Sequence, residues 1–311
     1  MNPNKLKKPN TLHIVCKECE AFSLNDLRDF LIMAEINIKQ DIPIYSSEEL
    51  NILEDDTKFI AWLQKYHGYN HHVYGNYYKQ AVRSLKENLA TSDYWKGLGE
   101  LLQNINIEYK ERYHCNLLET TNLPTIYVKT IGSVIDKAYR KDYIQNEKWP
   151  EEPIDGWVLP NNWFVKLNDI LRTTIVVKYL DGVSFLLDHL KQYAEKNGCD
   201  FTYDYEAREN GYYAAHTGTR IMLAMPRISD WEDEVIPVNI EIQITTQLQT
   251  LIKDLLHSYY EQDRLKVSDE NVLWQWDYTN DRFNTNYMGH IVHYVEGMVV
   301  SLRNKQMNKN K

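Results

Sequence analysis

The stretch VIPVNIEIQIT, residues 235–245, decides how the fold of this chain is interpreted. Its β-branched residues alternate with polar ones, which places the two kinds of side chain on opposite faces of a strand. The apolar face holds Val238, Ile240, Ile242 and Ile244, and the polar face holds Asn239, Glu241, Gln243 and Thr245. An unpaired buried charge is costly, so we expect Glu241 and Gln243 to face a metal ion or a polar ligand.

The segments around this strand predict an α+β fold. TIYV, DILRTTIVVKYL and TGTRIMLAM are also rich in β-branched residues, and helix-like segments separate several of them. We therefore predict a mixed sheet flanked by helices over residues 116–266. Apolar residues at helical spacing predict a helical region over residues 1–115 and a helical extension over 267–311.

Composition narrows the class of protein. A net charge of -9 argues against broad nucleic-acid binding, because such binding needs a basic surface. No apolar run of membrane-spanning or signal-peptide length occurs, and the four cysteines are too scattered for a disulfide framework. We expect a cytoplasmic protein that does not associate with a membrane.

Cations gather in YVKTIGSVIDKAYRK, residues 127–141. If a helix starts near Thr130, its spacing places four polar side chains on one stripe, namely Lys129, Ser133, Lys137 and Arg140. Ile131, Ile135 and Ala138 then face the core. Such a helix, beginning just after a strand, suits a polyphosphate; an ordinary amphipathic helix with a solvated basic face is the alternative.

Two further segments contribute polar residues. Asp169 stands at the start of the strand DILRTTIVV, where it is either a cap or a ligand. After that strand, apolar residues at helical spacing predict a helix that covers the sheet, namely Val183, Leu186, Leu187 and Leu190. The helix after Thr246 is expected to bury Leu248, Leu251 and Ile252. That orientation turns His257 away from the core, toward the cleft in which a ligand is expected to bind. On the last helix, an apolar stripe is expected to dock on the core; it comprises Tyr287, Ile291, Tyr294, Val295, Met298 and Leu302.

Five motifs follow one another between residues 125 and 265. They are Lys-x-x-x-Ser-x-x-x-Lys from Lys129, Asp-Ile-x-x-x-x-Ile from Asp169, Gly-Tyr-x-x-x-His from Gly211, Glu-Ile-Gln-Ile-x-Thr from Glu241, and the helical His257 and Tyr260. This order resembles the synthetase domain of the RelA/SpoT family, over about half the chain. The resemblance implies Mg²⁺-dependent transfer of pyrophosphate from ATP to the 3′-hydroxyl of GDP or GTP, which makes (p)ppGpp-type alarmones.

The resemblance also implies roles for individual residues. Asp169 and Glu241 would be the metal pair, and Asp169, Glu241 and Gln243 the catalytic set. ATP would be held by Lys129, Ser133, Lys137, Arg140 and Arg172. The acceptor would be held by Tyr212, whose ring would stack on the purine, and by His216, Arg208 and His257.

The chain departs from the family pattern around the acceptor site. Arg172 stands in the place of a glycine, and Thr174 and Thr245 stand where arginines are common. In the segment DYEAREN, which leads into the Gly-Tyr motif, Arg208 is the only cation. This loss of cations resembles the toxic branch of the family, so a toxin that pyrophosphorylates the 3′-CCA end of tRNA is an alternative. Adenosine acceptors and a catalytically dead nucleotide-sensing module are further alternatives. An antitoxin or a second copy of the chain is a candidate partner.

Overall fold

The computed structural model of the chain describes residues 56–254 and 274–309. The helices are α1 (Asp56–His67), α2 (His71–Thr91), α3 (Asp93–Tyr113), α4 (Ile131–Tyr139), α5 (Trp163–Lys166), α6 (Asp181–Lys196) and α7 (Asp281–Lys309). A π-helical turn, Arg140–Ile144, continues α4, residues 247–254 are also helical, and a 3-10 turn spans Trp274–Trp276. None of the described helices has the length and apolarity of a membrane span.

The strands form one mixed sheet. They are β1 (Tyr127–Val128), β2 (Leu171–Val177), β3 (Asp200–Ala207), β4 (Tyr213–Pro226) and β5 (Asp233–Thr246), in the spatial order β1-β2-β5-β4-β3. Only β2 and β5 pair in parallel; the other neighbours are antiparallel. The described residues belong to one compact unit, with helices before and after the sheet. The expected α+β class is confirmed, and the domain boundaries near residues 115 and 267 stay predictions.

The alternation of β5 is confirmed. Val238, Ile240, Ile242 and Ile244 are buried, whereas Glu241, Gln243 and Thr245 are partly exposed. Asn239, on the polar face, is buried as well, because its amide donates to the carbonyl oxygen of Asn168 at 2.6 Å. The strand thus covers the core with one face and carries a polar row on the other.

The covering helix after β2 is also confirmed, since α6 buries Val183, Leu186, Leu187 and Leu190. The start of α4 agrees with the sequence too. Thr130 precedes the helix, and its hydroxyl accepts a hydrogen bond from the backbone N–H of Ser133 at 3.3 Å. This cap satisfies a donor that the first turn of a helix leaves free.

The face by which α7 packs was predicted wrongly. The side chains of its apolar stripe, Tyr287, Ile291, Tyr294, Val295, Met298 and Leu302, are 37–70% exposed. The helix instead buries Thr285, Asn286, Gly289 and Glu296. Small and polar residues occupy this contact because the backbone of α7 and the backbone of the turn before β4 come very close. An added Cβ on Gly211 would lie 2.4 Å from the carbonyl oxygen of Asn286.

The helical residues 247–254 show a similar error. Leu248 and Leu251 were expected in the core, but they are 41% and 62% exposed. The buried side chain is Gln249, whose amide donates to the carbonyl oxygen of Gly289 in α7 at 3.2 Å. Apolar spacing alone misjudged the orientation because a polar side chain ties this segment to α7. His257 lies outside the described residues.

Gly289→Ala is expected to destabilise the protein, because the new Cβ would lie 2.4 Å from the carbonyl oxygen of Gly211 and backbone atoms would have to move. We expect a loss of about 1–3 kcal/mol in the free energy of unfolding, measured by urea denaturation. Gly297→Ala, on the same helix, is the matched control. Its Cβ would meet only Leu180 Cδ2 at 3.9 Å, so higher helix propensity should stabilise it by up to about 1 kcal/mol. Equal effects of the two variants would contradict the close contact.

Candidate active site

Two lysines converge on Asp169. Lys129 follows β1, and Lys137 lies on α4 one turn before the helix ends. Both ammonium nitrogens lie 2.7 Å from the carboxylate, Lys129 at Oδ2 and Lys137 at Oδ1. The three side chains are only 12–25% exposed. The cluster of Lys129, Lys137 and Asp169 carries one net positive charge, which leaves it with capacity to bind an anion.

Burial and the lysines act in opposite directions on Asp169. Burial acts to raise the pKa of its carboxyl, but hydrogen bonds and charge from Lys129 and Lys137 outweigh burial and bring the pKa below its ordinary value. The carboxylate therefore stays ionised at neutral pH. It is an anionic oxygen donor held beside two cations.

Backbone contacts fix this cluster. The N–H of Lys129 donates to the carbonyl oxygen of Ile170 at 2.9 Å, and the hydroxyl of Tyr78 on α2 donates to the carbonyl oxygen of Lys129 at 2.6 Å. Asn239 holds the turn that carries Asp169 through its bond to Asn168. Sequence analysis assigned no role to Tyr78 or Asn239. The polar parity of Asn239 with Glu241 was a usable signal, whereas no signal in the sequence connects Tyr78 with Lys129.

The polar row of the sheet is set by strand register. In β2, Arg172 pairs with Glu241 and Thr174 pairs with Gln243. On the other side of β5, Gly218 pairs with Glu241, and His216 pairs with Gln243. A side chain at position 218 would collide with Asn239 and Thr202, each within 3.0 Å of an added Cβ. The glycine therefore lets neighbouring polar groups pack beside Glu241.

A hydrogen-bonded chain runs through this row. The hydroxyl of Tyr212 lies 3.0 Å from His216 Nε2, and His216 Nδ1 lies 3.1 Å from Glu241 Oε1. The amide of Gln243 donates to Glu241 Oε2 at 3.3 Å. A neutral imidazole with its proton on Nδ1 satisfies the chain, because Tyr212 then donates to Nε2 and Nδ1 donates to the carboxylate. Burial, as the largest cause, raises the pKa of Tyr212, so its hydroxyl remains a donor at neutral pH.

Arg208 lies next to the chain. Its guanidinium carbon is 5.5 Å from the centre of the Tyr212 ring, and its Nε donates to Glu206 at 2.8 Å. The Tyr212 ring stands edge-on to the His216 ring, with 6.1 Å between centres. Tyr212 therefore presents a ring bordered by a cation, while its hydroxyl holds His216. The expected acceptor residues Tyr212, His216 and Arg208 do come together.

Two members of the α4 stripe make local contacts instead. The hydroxyl of Ser133 lies 2.9 Å from that of Thr130. Arg140 pairs with Asp136 one turn earlier, at 3.0 Å, and both side chains are about half exposed. Lys129 and Lys137 thus gather at Asp169, whereas Ser133 and Arg140 line the exposed surface of the same helix. All four roles stay predictions.

Asp169 and Glu241, the expected metal pair, have different partners. Lysines hold Asp169, and His216 and Gln243 hold Glu241. Among residues 56–254 and 274–309, no three Asp, Glu, His or Cys side chains gather into a metal cage. Mg²⁺ commonly uses one or two carboxylates together with waters and substrate phosphates. Asp169 and Glu241 supply carboxylate oxygens of that kind, and their role as a metal pair stays a prediction.

Comparison with known proteins finds structural similarity for the chain, but no model of a known family and no curated protein matches it. Its structure is similar to small alarmone synthetase 2 from Bacillus subtilis, with 17% identity and a TM-score of 0.46, over 73% of this chain and 99% of that one. It is also similar to small alarmone synthetase 1 from Bacillus subtilis bound to its product pppGpp, with 17% identity and a TM-score of 0.46, over 74% and 98% of the chains. A GTP pyrophosphokinase family protein from Streptococcus pneumoniae gives 17% identity and a TM-score of 0.44, over 70% and 92%.

Asp169→Asn is expected to lower the free energy of unfolding at pH 7 by about 1–3 kcal/mol, because it leaves two ammonium groups without an anion. The lowered pKa of Asp169 makes this stabilisation complete above the ordinary value of 3.8 and lost as pH falls through the folded value. The difference between wild type and variant, measured by urea denaturation, should therefore shrink below about pH 4.

Asp136→Asn is the control for this experiment. It removes an ion pair whose side chains are 49% and 55% exposed, so the change should stay within about 0.5 kcal/mol. If the two variants lose the same free energy, or if the loss in Asp169→Asn does not depend on pH, the charge cluster does not stabilise the fold.

Proposed function

We propose that the protein transfers pyrophosphate from ATP to the 3′-hydroxyl of a guanosine nucleotide, making a (p)ppGpp-type product. One observation carries the proposal. The hydrogen-bonded chain Tyr212–His216–Glu241 lies beside Arg172, because Arg172 pairs with Glu241 across the sheet. Arg172 comes three residues after Asp169, which belongs to the Lys129–Lys137–Asp169 cluster. A group that can orient or deprotonate a hydroxyl thus neighbours a group that can bind polyphosphate. Transfer of a phosphoryl group needs little more than such positioning and charge neutralisation.

The donor side of the site is built on α4. When ATP binds, Lys129 and Lys137 exchange the Asp169 carboxylate for the β- and γ-phosphates, which carry more negative charge than one carboxylate. The first turn of α4 offers free backbone N–H groups to the same anion. Ser133 is exposed on that turn, and Arg140, in the π-helical turn that continues α4, would contact the nucleoside end of ATP. Arg172 adds a cation next to Glu241.

The acceptor side is built on β4 and the turn before it. Tyr212 supplies a planar ring for the guanine base, and such stacking contributes about 1–3 kcal/mol per base. Arg208 flanks the ring and is suited to the acceptor's phosphates, whereas both ring nitrogens of His216 are engaged by Tyr212 and Glu241 and hold the ring in place. Because the Tyr212 hydroxyl is anchored to His216, the orientation of the ring is set before the acceptor arrives.

Glu241 carries the proton-transfer role in this proposal. The 3′-oxygen attacks the β-phosphorus, the bond from that phosphorus to the bridging oxygen of AMP breaks, and AMP leaves. The hydroxyl proton passes to Glu241, whose other contacts to His216 and Gln243 hold the carboxylate in place. Asp169 and Glu241 would hold Mg²⁺, which would supply additional positive charge at the transferred phosphates.

The activity is tested with β-labelled and, separately, γ-labelled ATP, offered with GDP, GTP, ATP or bulk tRNA. Both labels should move to the guanosine nucleotide, because the transferred group contains both phosphorus atoms. Glu241→Gln should lower the rate at least about 100-fold, whereas Glu234→Gln, on the exposed end of the same strand, should not. Label retained in tRNA or in an adenosine product would overturn the guanosine acceptor, and full activity of Glu241→Gln would overturn the role of Glu241.

Tyr212→Ala should weaken the acceptor more than the donor. Loss of stacking is expected to raise the acceptor KM about 5- to 150-fold, with the ATP KM changed less than about threefold. Tyr212→Phe keeps the ring and removes the bond to His216, so it separates stacking from anchoring. Tyr203→Ala, which removes a half-exposed tyrosine on β3, is the control. An unchanged acceptor KM in Tyr212→Ala would exclude stacking on this ring.

A further inference from the structure

A cavity lies where α7 packs over the ends of the sheet, next to the candidate acceptor residues. Its volume is about 540 Å³, within the range of pockets that hold small organic molecules. The walls come from the start of α6, the ends of β3, β4 and β5, and α7. Aliphatic side chains and two tyrosine rings, Tyr205 and Tyr213, supply most of the surface.

The cavity contains a buried carboxyl group that no described residue pairs as a counterion. Glu296 of α7 is 4% exposed and lines the cavity, and among residues 56–254 and 274–309 neither of its oxygens has a hydrogen-bond partner of normal geometry. Burial raises the pKa of Glu296, and the Thr246 hydroxyl is a smaller cause that acts to lower it. An uncompensated carboxyl in an apolar wall lowers stability unless something pairs with it.

The neighbouring charges do not compensate Glu296. Asp181, which also lines the cavity, is bonded to Arg303 and Tyr109, and Glu206 is paired with Arg208. His293 lies one turn from Glu296, and its Nδ1 is buried without a hydrogen-bond partner in the part of the chain that the structure describes. Burial, aided by the charge of His290, lowers the pKa of His293, so at neutral pH its ring offers an acceptor nitrogen rather than a cation.

Two stacked aromatic rings form the cavity wall beside Glu296. The His293 ring stacks on the Tyr213 ring with 3.7 Å between centres and an angle of 3° between planes. Tyr213 is held in turn, because its hydroxyl lies 2.8 Å from His290 Nδ1. The cavity therefore combines a rigid aromatic wall, aliphatic walls, and a carboxyl and an imidazole nitrogen that the described residues leave without partners.

We propose that this cavity binds a small organic cation, a planar apolar body that carries an amidinium, guanidinium or protonated amine group. The cationic group pairs with Glu296 and donates to His293 Nδ1, while the apolar body occupies the space between the tyrosine rings and the aliphatic walls. An anionic nucleotide does not suit the site, since it would face Glu296 and Asp181. The cavity borders the proposed acceptor position, since Glu206 on its wall pairs with Arg208, but the proposed cation site is formed by Glu296 and His293 and does not depend on the proposed activity.

Benzamidine and benzamide serve as probes, because they have nearly the same shape and differ in charge. Binding to the full chain is measured by isothermal titration calorimetry at pH 7. We expect benzamidine to bind at least tenfold more tightly than benzamide, and Glu296→Gln to remove that preference. Equal affinities in wild type, no binding of either probe, or a preference that persists in Glu296→Gln would each overturn the proposal.

Gly297 provides a second, independent variant. It lines the cavity, and an added Cβ would meet only Leu180 Cδ2 at 3.9 Å, so there is room for a side chain. Gly297→Leu should fill the space and weaken benzamidine at least tenfold, whereas Gly297→Ala should leave the affinity within about twofold. Circular dichroism and the unfolding midpoint confirm that both variants are folded. Benzamidine affinity that is unchanged in folded Gly297→Leu would place the probe elsewhere and overturn the assignment.

Discussion

The parallel pairing of β2 with β5 is the constraint on which the remaining arrangement depends. It places Arg172 beside Glu241 and Thr174 beside Gln243, although the two members of each pair are about seventy residues apart along the chain. Parallel neighbours cannot be joined by a tight turn, so α6, β3 and β4 form the connection. Because side chains alternate along a strand, a slip of one residue would turn Glu241 into the core and an isoleucine into the polar row. Burial of Val238, Ile240, Ile242 and Ile244 therefore sets the position of Glu241 as firmly as any contact of its own.

Both carboxylates of the candidate site are compensated in the unliganded protein. Lysine ammonium groups balance Asp169, and hydrogen bonds from His216 and Gln243 satisfy Glu241. These side chains can therefore be kept in place, mostly buried, before any substrate binds. Under the proposed function, binding of a polyphosphate would be an exchange of partners for the lysines rather than the desolvation of free charges, which would reduce the cost of forming the complex. Glu296 differs from both, since nothing in the described residues balances it.

The contacts of α7 give the consecutive residues Tyr212 and Tyr213 different surroundings. The helix reaches the turn before β4 through Gly211 and Gly289, and its His290 bonds through Nδ1 to the hydroxyl of Tyr213 and through Nε2 to the carbonyl oxygen of Glu209. Tyr212 and Tyr213 are consecutive, yet one joins the polar row through His216 and the other joins the cavity wall through His293. Farther along, Arg303 bonds to Asp181 and Tyr109, which ties the helix to α6 and α3. The close packing of α7 thus creates a cavity that neither the sheet nor the helix has alone.

The sequence by itself determined the local features of the protein. Alternation in β5, the Thr130 cap of α4 and the apolar face of α6 all follow from short-range periodicity, which the chain obeys because its backbone geometry is regular. Tertiary structure decided which long-range partners these residues meet. Periodicity assigned the apolar stripe of α7 and Leu251 to the core, but close backbone approach at Gly211 and the Gln249 bond to Gly289 turned other faces inward. The contact of Tyr78 with Lys129 and the isolation of Glu296 likewise depend on elements far apart in sequence, and no local pattern encodes such distances.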